Sequence, residues 1–220
     1  MTEKTPKKPT ATAPVDRVAA DTHLRAVDPV LAKVMDRAGP FRPEPRAEPD
    51  VFHALMRAII YQQLSGKAAG TIYRRVLDAV GGGSEPGAAQ IAATSVETLR
   101  GAGLSANKER ALRGLADATL AGDVPSEADI GEISDEDLVK AFSALRGIGR
   151  WTVEMLLLFH LERPDVLPIH DLGVRKGFAR TYGWDELPKP YELASRCELW
   201  RPYRSVASWY MWRATELDFN

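Results

Sequence analysis

Apolar residues recur at helical intervals along nearly the whole chain, and that periodicity constrains the fold more than any other feature. No stretch reads convincingly as a strand; VLPI (166–169) is too short and contains proline. The pattern predicts an all-α protein of roughly nine or ten helices joined by short loops. Residues 23–39 carry one apolar-periodic run that stops at Gly39-Pro40, and FRPEPRAEP after it is a loop, because prolines cannot extend a helix. Asp50 and Ser65 are N-cap residues for VFHALMRAIIYQQ and GKAAGTIYRRVLDAV, and the second run ends at Gly81-Gly82-Gly83. Further helices are predicted over 106–121, from Ser134, over the almost wholly apolar 148–162 and over 172–183. Pro190 and Pro202 stand where helices start.

Composition removes several classes. No apolar run is long enough to span a bilayer. Residues 1–20 lack the apolar core of a secretory signal and read as a flexible tail, leaving 21–220 as the folded domain. A single cysteine, Cys197, excludes an internal disulfide and a four-cysteine zinc or iron–sulfur site, and suits a reducing cytoplasm. The net charge of −1 counts mildly against a polyanion partner. Charge is uneven, however: 196–213 holds four arginines against Glu198, while 127–137 is acidic.

LRGIGRWTVEM (145–155) stands out between two helical patterns. Gly-x-Gly before a helix is either a plain chain reversal or a phosphate cradle, in which first-turn N–H groups face an anion. The residues alone leave both open. Asp171 likewise reads either as the N-cap of the helix beginning at Leu172 or as a working carboxylate.

LRGIGRWTVEM resembles the helix–hairpin–helix signature of the DNA glycosylase superfamily. The spacing to DVLPIHDLGVRKGF (165–178), together with FHALMRAIIYQQLSGKAA (52–69) and WRPYRSVASWYMW (200–212), is similar to the DNA-3-methyladenine glycosylase II (AlkA-type) branch. The likeness runs from about residue 22 to the end. It implies a two-lobed helical fold whose lobes line a cleft, without the N-terminal β domain of larger members. It also implies a monofunctional enzyme that flips alkylated purines (3-methyladenine, 7-methylguanine type) out of double-stranded DNA and hydrolyses the N-glycosidic bond in base excision repair. The partner is then duplex DNA and not a membrane. The chain is expected to act as a monomer in the cytoplasm, associated with the nucleoid if the source is bacterial.

The resemblance assigns roles by position. Asp171 is the catalytic carboxylate, stabilising the oxocarbenium and activating water; Asp165 is the other aspartate of the motif. Trp151, Trp212, Met155, Tyr61 and His170 fall at the base pocket, with Tyr203 and Trp209 as outer neighbours. Trp209 reads more simply as core. Gln63 or Leu64 is the wedge that fills the vacated space, although Leu64 also reads as a buried loop anchor. Gly147, Ile148, Gly149, Arg150, Thr152 and Lys176 would hold DNA phosphate, aided by Lys67, Lys108, Arg175 and Arg204. No cofactor is required and no iron–sulfur cluster is expected; a structural Na+ or K+ on the carbonyls near Leu145 and Gly147 is an option. Lyase-type relatives carry a lysine where Trp151 stands, so hydrolysis without backbone cleavage is expected. Met155 replaces a common aromatic and His170 a common acid, which leaves base preference open. The rival readings are the same fold directed at a deaminated or oxidised base, and a non-catalytic helix–hairpin–helix DNA-binding module.

Overall fold

A computed structural model describes residues 15–43, 48–126 and 128–217. Among them are twelve α-helices, two 3-10 turns and no strand. The chain divides into two compact units: Met1–Pro45 with Leu157–Asn220, and Arg46–Leu156.

The first unit contains α1 (Arg17–Val27), α2 (Pro29–Ala38), α10 (Leu172–Tyr182), α11 (Pro190–Arg196) and α12 (Arg204–Ala214). Most of the expected tail, residues 1–14, lies outside the described residues. Its last part is not tail but helix, because the Asp16 carboxylate accepts the Val18 and Ala19 N–H groups and starts α1 at Arg17. The single run expected over 23–39 is two helices. Asp28 precedes a proline, which disfavours helical backbone, and its carboxylate caps the second helix through Val30 and Leu31. The same buried carboxylate accepts the Tyr182 hydroxyl (2.5 Å) and the Trp200 indole N–H (2.8 Å) through its other oxygen. Leu24, Leu31, Met35, Phe178, Trp200, Tyr210 and Met211 form the surrounding core.

In this unit α10 and α12 cross with almost nothing between their backbones. A Cβ on Gly177 would lie 1.8 Å from the Met211 carbonyl oxygen, and one on Gly173 would lie 2.6 Å from Trp212 Cδ1. Two glycines one turn apart therefore make the groove that receives α12. Pro202 does not open a helix. It follows a cis peptide bond after Arg201, and α12 begins two residues later.

The second unit contains α3 (Val51–Tyr61), α4 (Gly66–Gly81), α5 (Ala88–Ala93), α6 (Val96–Gly101), α7 (Ala106–Ala121) and α8 (Asp135–Ser143). The division falls inside α9 (Arg150–Phe159). Helix α3 is apolar nearly all round and buried, and it packs against α4 and α7. Asp50, Ser65 and Ser134 cap as expected, and Gly82 ends α4 with φ 61°. The predicted run 148–162 is shorter at both ends, and its first turn is buried on one side only, since Trp151 is 47% exposed while Thr152 and Val153 are buried.

Candidate active site

The first unit builds one polar corner at the start of α10. Asp171 caps that helix: its Oδ1 accepts the Val174 N–H at 2.8 Å. The same oxygen accepts the Trp212 indole N–H at 2.8 Å, across the groove that Gly173 keeps open. Phe159 stacks on Trp212, with ring centroids 5.5 Å apart and planes 29° apart. The carboxylate is thus held by a helix amide and by an indole that is itself pinned by a ring. His170 and Leu172, on either side of Asp171, are exposed. Trp209 packs edge-on to Phe41 and Tyr210, half-buried against the core.

The hairpin lies in the second unit. Ile148 N–H donates to the Leu145 carbonyl at 3.2 Å, closing the turn, and Gly147 takes φ 80°. A Cβ there would come within 2.6 Å of Ala111 Cβ on α7, so both conformation and space require glycine. Ile148 is buried and anchors the turn, while Gly147 and Gly149 face solvent. Helix α9 opens directly after Gly149, where first-turn amides lack intrahelical acceptors. Thr152 is turned inward: its N–H donates to Gly149 O at 2.9 Å and its hydroxyl accepts from Gln62 at 3.3 Å. Met155 is buried.

Between α3 and α4 the chain makes a tight loop. Gln63 has φ 56°, unusual for a residue with a side chain, and Gln63 and Leu64 are exposed. The buried-anchor reading of Leu64 is thereby excluded. Tyr61 packs between the helices, with the Arg57 guanidinium 4.0 Å above its ring and Tyr73 at its edge.

The basic residues divide sharply. Arg150 does not project freely: it pairs with Glu136 and with Glu154, which lies one turn along α9. Lys108 donates to the carbonyls of Ile60 (2.8 Å) and Gln62 (2.7 Å), and burial lowers its pKa from the ordinary lysine value. Arg175 donates to Pro188 O, and Arg204 together with Arg201 binds Asp165. Lys67 and Lys176 are exposed. Among the described residues no three His, Cys, Asp or Glu side chains cluster to hold a metal ion. No helix among them is long and apolar enough to cross a membrane.

Residues 56–202 match the HhH-GPD superfamily base excision DNA repair protein family. The chain belongs to the HhH-GPD superfamily. A relative, DNA-3-methyladenine glycosylase 1 of Schizosaccharomyces pombe, is 34% identical over 90% of this chain and 87% of its own length. The solved structure of the Schizosaccharomyces pombe 3-methyladenine DNA glycosylase in complex with abasic DNA superimposes with a TM-score of 0.82, covering 90% of this chain and 97% of that one. A DNA-3-methyladenine glycosidase from Bacillus halodurans, 33% identical, gives 0.79 and covers 89% and 88%.

Within this HhH-GPD chain, sequence reasoning missed the residues that act through others. Gln62 was read only as helix; it ends α3 and donates to the hairpin. Gly173 falls inside the predicted helix 172–183 and Phe159 inside the apolar run 148–162, with nothing local to mark either. Their roles depend on partners tens of residues away, which periodicity does not report.

Proposed function

We propose that this HhH-GPD protein is a monofunctional DNA glycosylase that releases alkylated purines of the 3-methyladenine and 7-methylguanine type, beginning base excision repair. The observation that carries the reading is the Asp171 corner, where two N–H donors meet one carboxylate oxygen at the start of α10. Donors of this kind fix the direction in which the carboxylate points. An ionised carboxylate stabilises the oxocarbenium character that develops at deoxyribose C1′ as the base departs. Alkylation at N3 or N7 makes the purine cationic. When the C1′–N bond breaks, its electron pair neutralises the leaving base, so no second carboxyl is needed to protonate it. Water then adds to C1′ and gives up a proton to Asp171, leaving an abasic site.

The cationic base suits an electron-rich indole, with attraction on the order of 0.5–2 kcal/mol. Trp151, 47% exposed, and the partly exposed Trp212 are the indoles this reading uses, with Met155, Tyr61 and His170 as further pocket positions. The Gln63–Leu64 pair is the wedge, which its exposure supports. Phosphate falls to the backbone of Gly147, Ile148 and Gly149 and to exposed Lys176; the paired Arg150 and inward Thr152 act in support. The indole at position 151 stands where an amine nucleophile would be needed, so the product keeps its backbone intact. The names and the DNA-bound state of the relatives support the same reaction class.

A monovalent cation at the hairpin has suitable oxygen donors in kind. The carbonyl of Leu145 accepts from Ile148 N–H and that of Gly147 from the Gln62 amide, and a carbonyl oxygen has two lone pairs. Bound there, a cation would supply positive charge to a phosphate oxygen. The lone, buried Cys197 supports a cytoplasmic address.

The test is chromatography of bases released from methylated DNA. Asp171→Asn is expected to abolish release while DNA binding persists; release at the normal rate would reject Asp171 as the catalytic group. Preference for a neutral oxidised or deaminated base in a lesion panel would reject the substrate class.

A further inference from the structure

The hairpin and the 62–64 loop are far apart in sequence, yet one set of hydrogen bonds joins them. The Gln62 side-chain amide donates to Gly147 O at 2.9 Å and to Thr152 Oγ1 at 3.3 Å. The main-chain oxygen of Gln62 and that of Ile60 accept from the Lys108 ammonium at 2.7 and 2.8 Å. Lys108 lies on α7, and Ala111, one turn further on, is the residue against which Gly147 packs. A single face of α7 therefore supports both the end of α3 and the hairpin. A cation at a helix C-terminus also meets the negative end of the helix dipole. The next residue, Gln63, is held at φ 56°, a conformation that persists only where its surroundings impose it. The proposed chemistry uses none of these four hydrogen bonds.

We infer that Gln62 and Lys108 are positioning residues for base extrusion, tying the wedge loop to the hairpin so that gripping a phosphate and entering the duplex occur in one fixed register. This rests on the wedge reading of Gln63 and Leu64. The amide supplies direction at the hairpin; the ammonium supplies a brace behind the loop. Without either, the hairpin still binds backbone, but the loop samples orientations that do not displace the target base.

The test compares two duplexes that differ only in how firmly the alkylated purine is stacked: one fully paired, one with the lesion opposite a mismatch. Single-turnover release is measured with the full-length protein, and 2-aminopurine beside the lesion reports unstacking. Gln62→Leu and Lys108→Met are each expected to slow release from the paired duplex by about tenfold or more, and to reduce the fluorescence rise. On the mismatched duplex the same variants come within about threefold of the parent, because extrusion there costs less. Lys108→Arg, which keeps the charge, restores most of the paired-duplex rate. The salt dependence of DNA affinity stays unchanged. Equal losses on both duplexes in folded variants would show a merely structural role and overturn the inference, as would parental rates on the paired duplex. A Gln63→Ala/Leu64→Ala variant separates the two claims. If it extrudes normally, the wedge reading itself fails. If it fails to extrude while Gln62→Leu and Lys108→Met do not differ from the parent, only the coupling is refuted.

Discussion

Gly173→Ala adds one methyl group and is expected to disable the site more than it destabilises the fold. The new Cβ would lie 2.6 Å from Trp212 Cδ1, 2.9 Å from its Nε1 and 3.1 Å from Asp171 Oδ1. An ordinary carbon contact is about 3.5–4.0 Å, so the indole must retreat by about 1 Å. Phe159, stacked on Trp212, opposes a sideways escape, and the Gly177–Met211 contact opposes separation of α10 from α12. Such a retreat stretches the 2.8 Å indole–carboxylate bond beyond hydrogen-bonding range. A hydrogen bond to a charged group contributes about 1.5–3 kcal/mol, and each ~1.4 kcal/mol is tenfold in rate, so release should slow by roughly 10- to 100-fold. Stability is subject to opposing effects. Overpacking costs about 1–3 kcal/mol, whereas replacing glycine by alanine in a helix returns about 0.5–1 kcal/mol. The Tm should therefore fall by only a few degrees. Single-turnover release from methylated DNA at saturating enzyme measures the first effect and thermal unfolding the second. Trp212→Ala removes both the donor and the obstructing atoms, so the double variant should release base no more slowly than Trp212→Ala alone. A Gly173→Ala enzyme working at the parental rate, or losses that multiply in the double variant, would refute the reasoning.

Three further outcomes follow from the same contacts. Gly177→Ala, whose Cβ would sit 1.8 Å from a main-chain oxygen, should cause gross loss of soluble folded protein, unlike Gly173→Ala; circular dichroism and expression decide this. Asp28→Ala strands the Tyr182 hydroxyl and the Trp200 indole N–H, and should cost about 2–5 kcal/mol by denaturant unfolding, with release per folded molecule unchanged. Burial lowers the Lys108 pKa, so its ammonium loses its proton at a lower pH than a surface lysine. Release from paired duplex should accordingly decline on the alkaline side below the usual lysine range, and Lys108→Arg should move that decline to higher pH.

Much of this architecture was legible in advance because it is written locally. Ser65 with Gly82 and Ser105 with Gly122 bracket α4 and α7 through caps and glycine stops. The break at Asp28-Pro29 was equally local, but the apolar period continues across it and masked the cap. Helices α5 and α6 are six residues each, too short to display a full period. The functional positions were placed by motif likeness, whereas their wiring was hidden. Arg150, Lys108, Arg175 and Arg204 read as phosphate contacts because a cation's default setting is solvent. Each instead meets an acceptor that only the fold brings near: Glu136, the end of α3, Pro188 O and Asp165. The indole on Asp171 comes from 41 positions along the chain.

The pairing of Arg150 with Glu136 and Glu154 bears on how the enzyme approaches DNA. Its guanidinium sits at the mouth of the hairpin but is already neutralised, and the whole chain carries a net charge of −1. What remains for the sugar–phosphate strand is the hairpin backbone, directional and short in range, with exposed cations such as Lys176 adding the electrostatic pull. A repair protein built this way leans on the shape of its hairpin, more than on surface charge, to meet the strand.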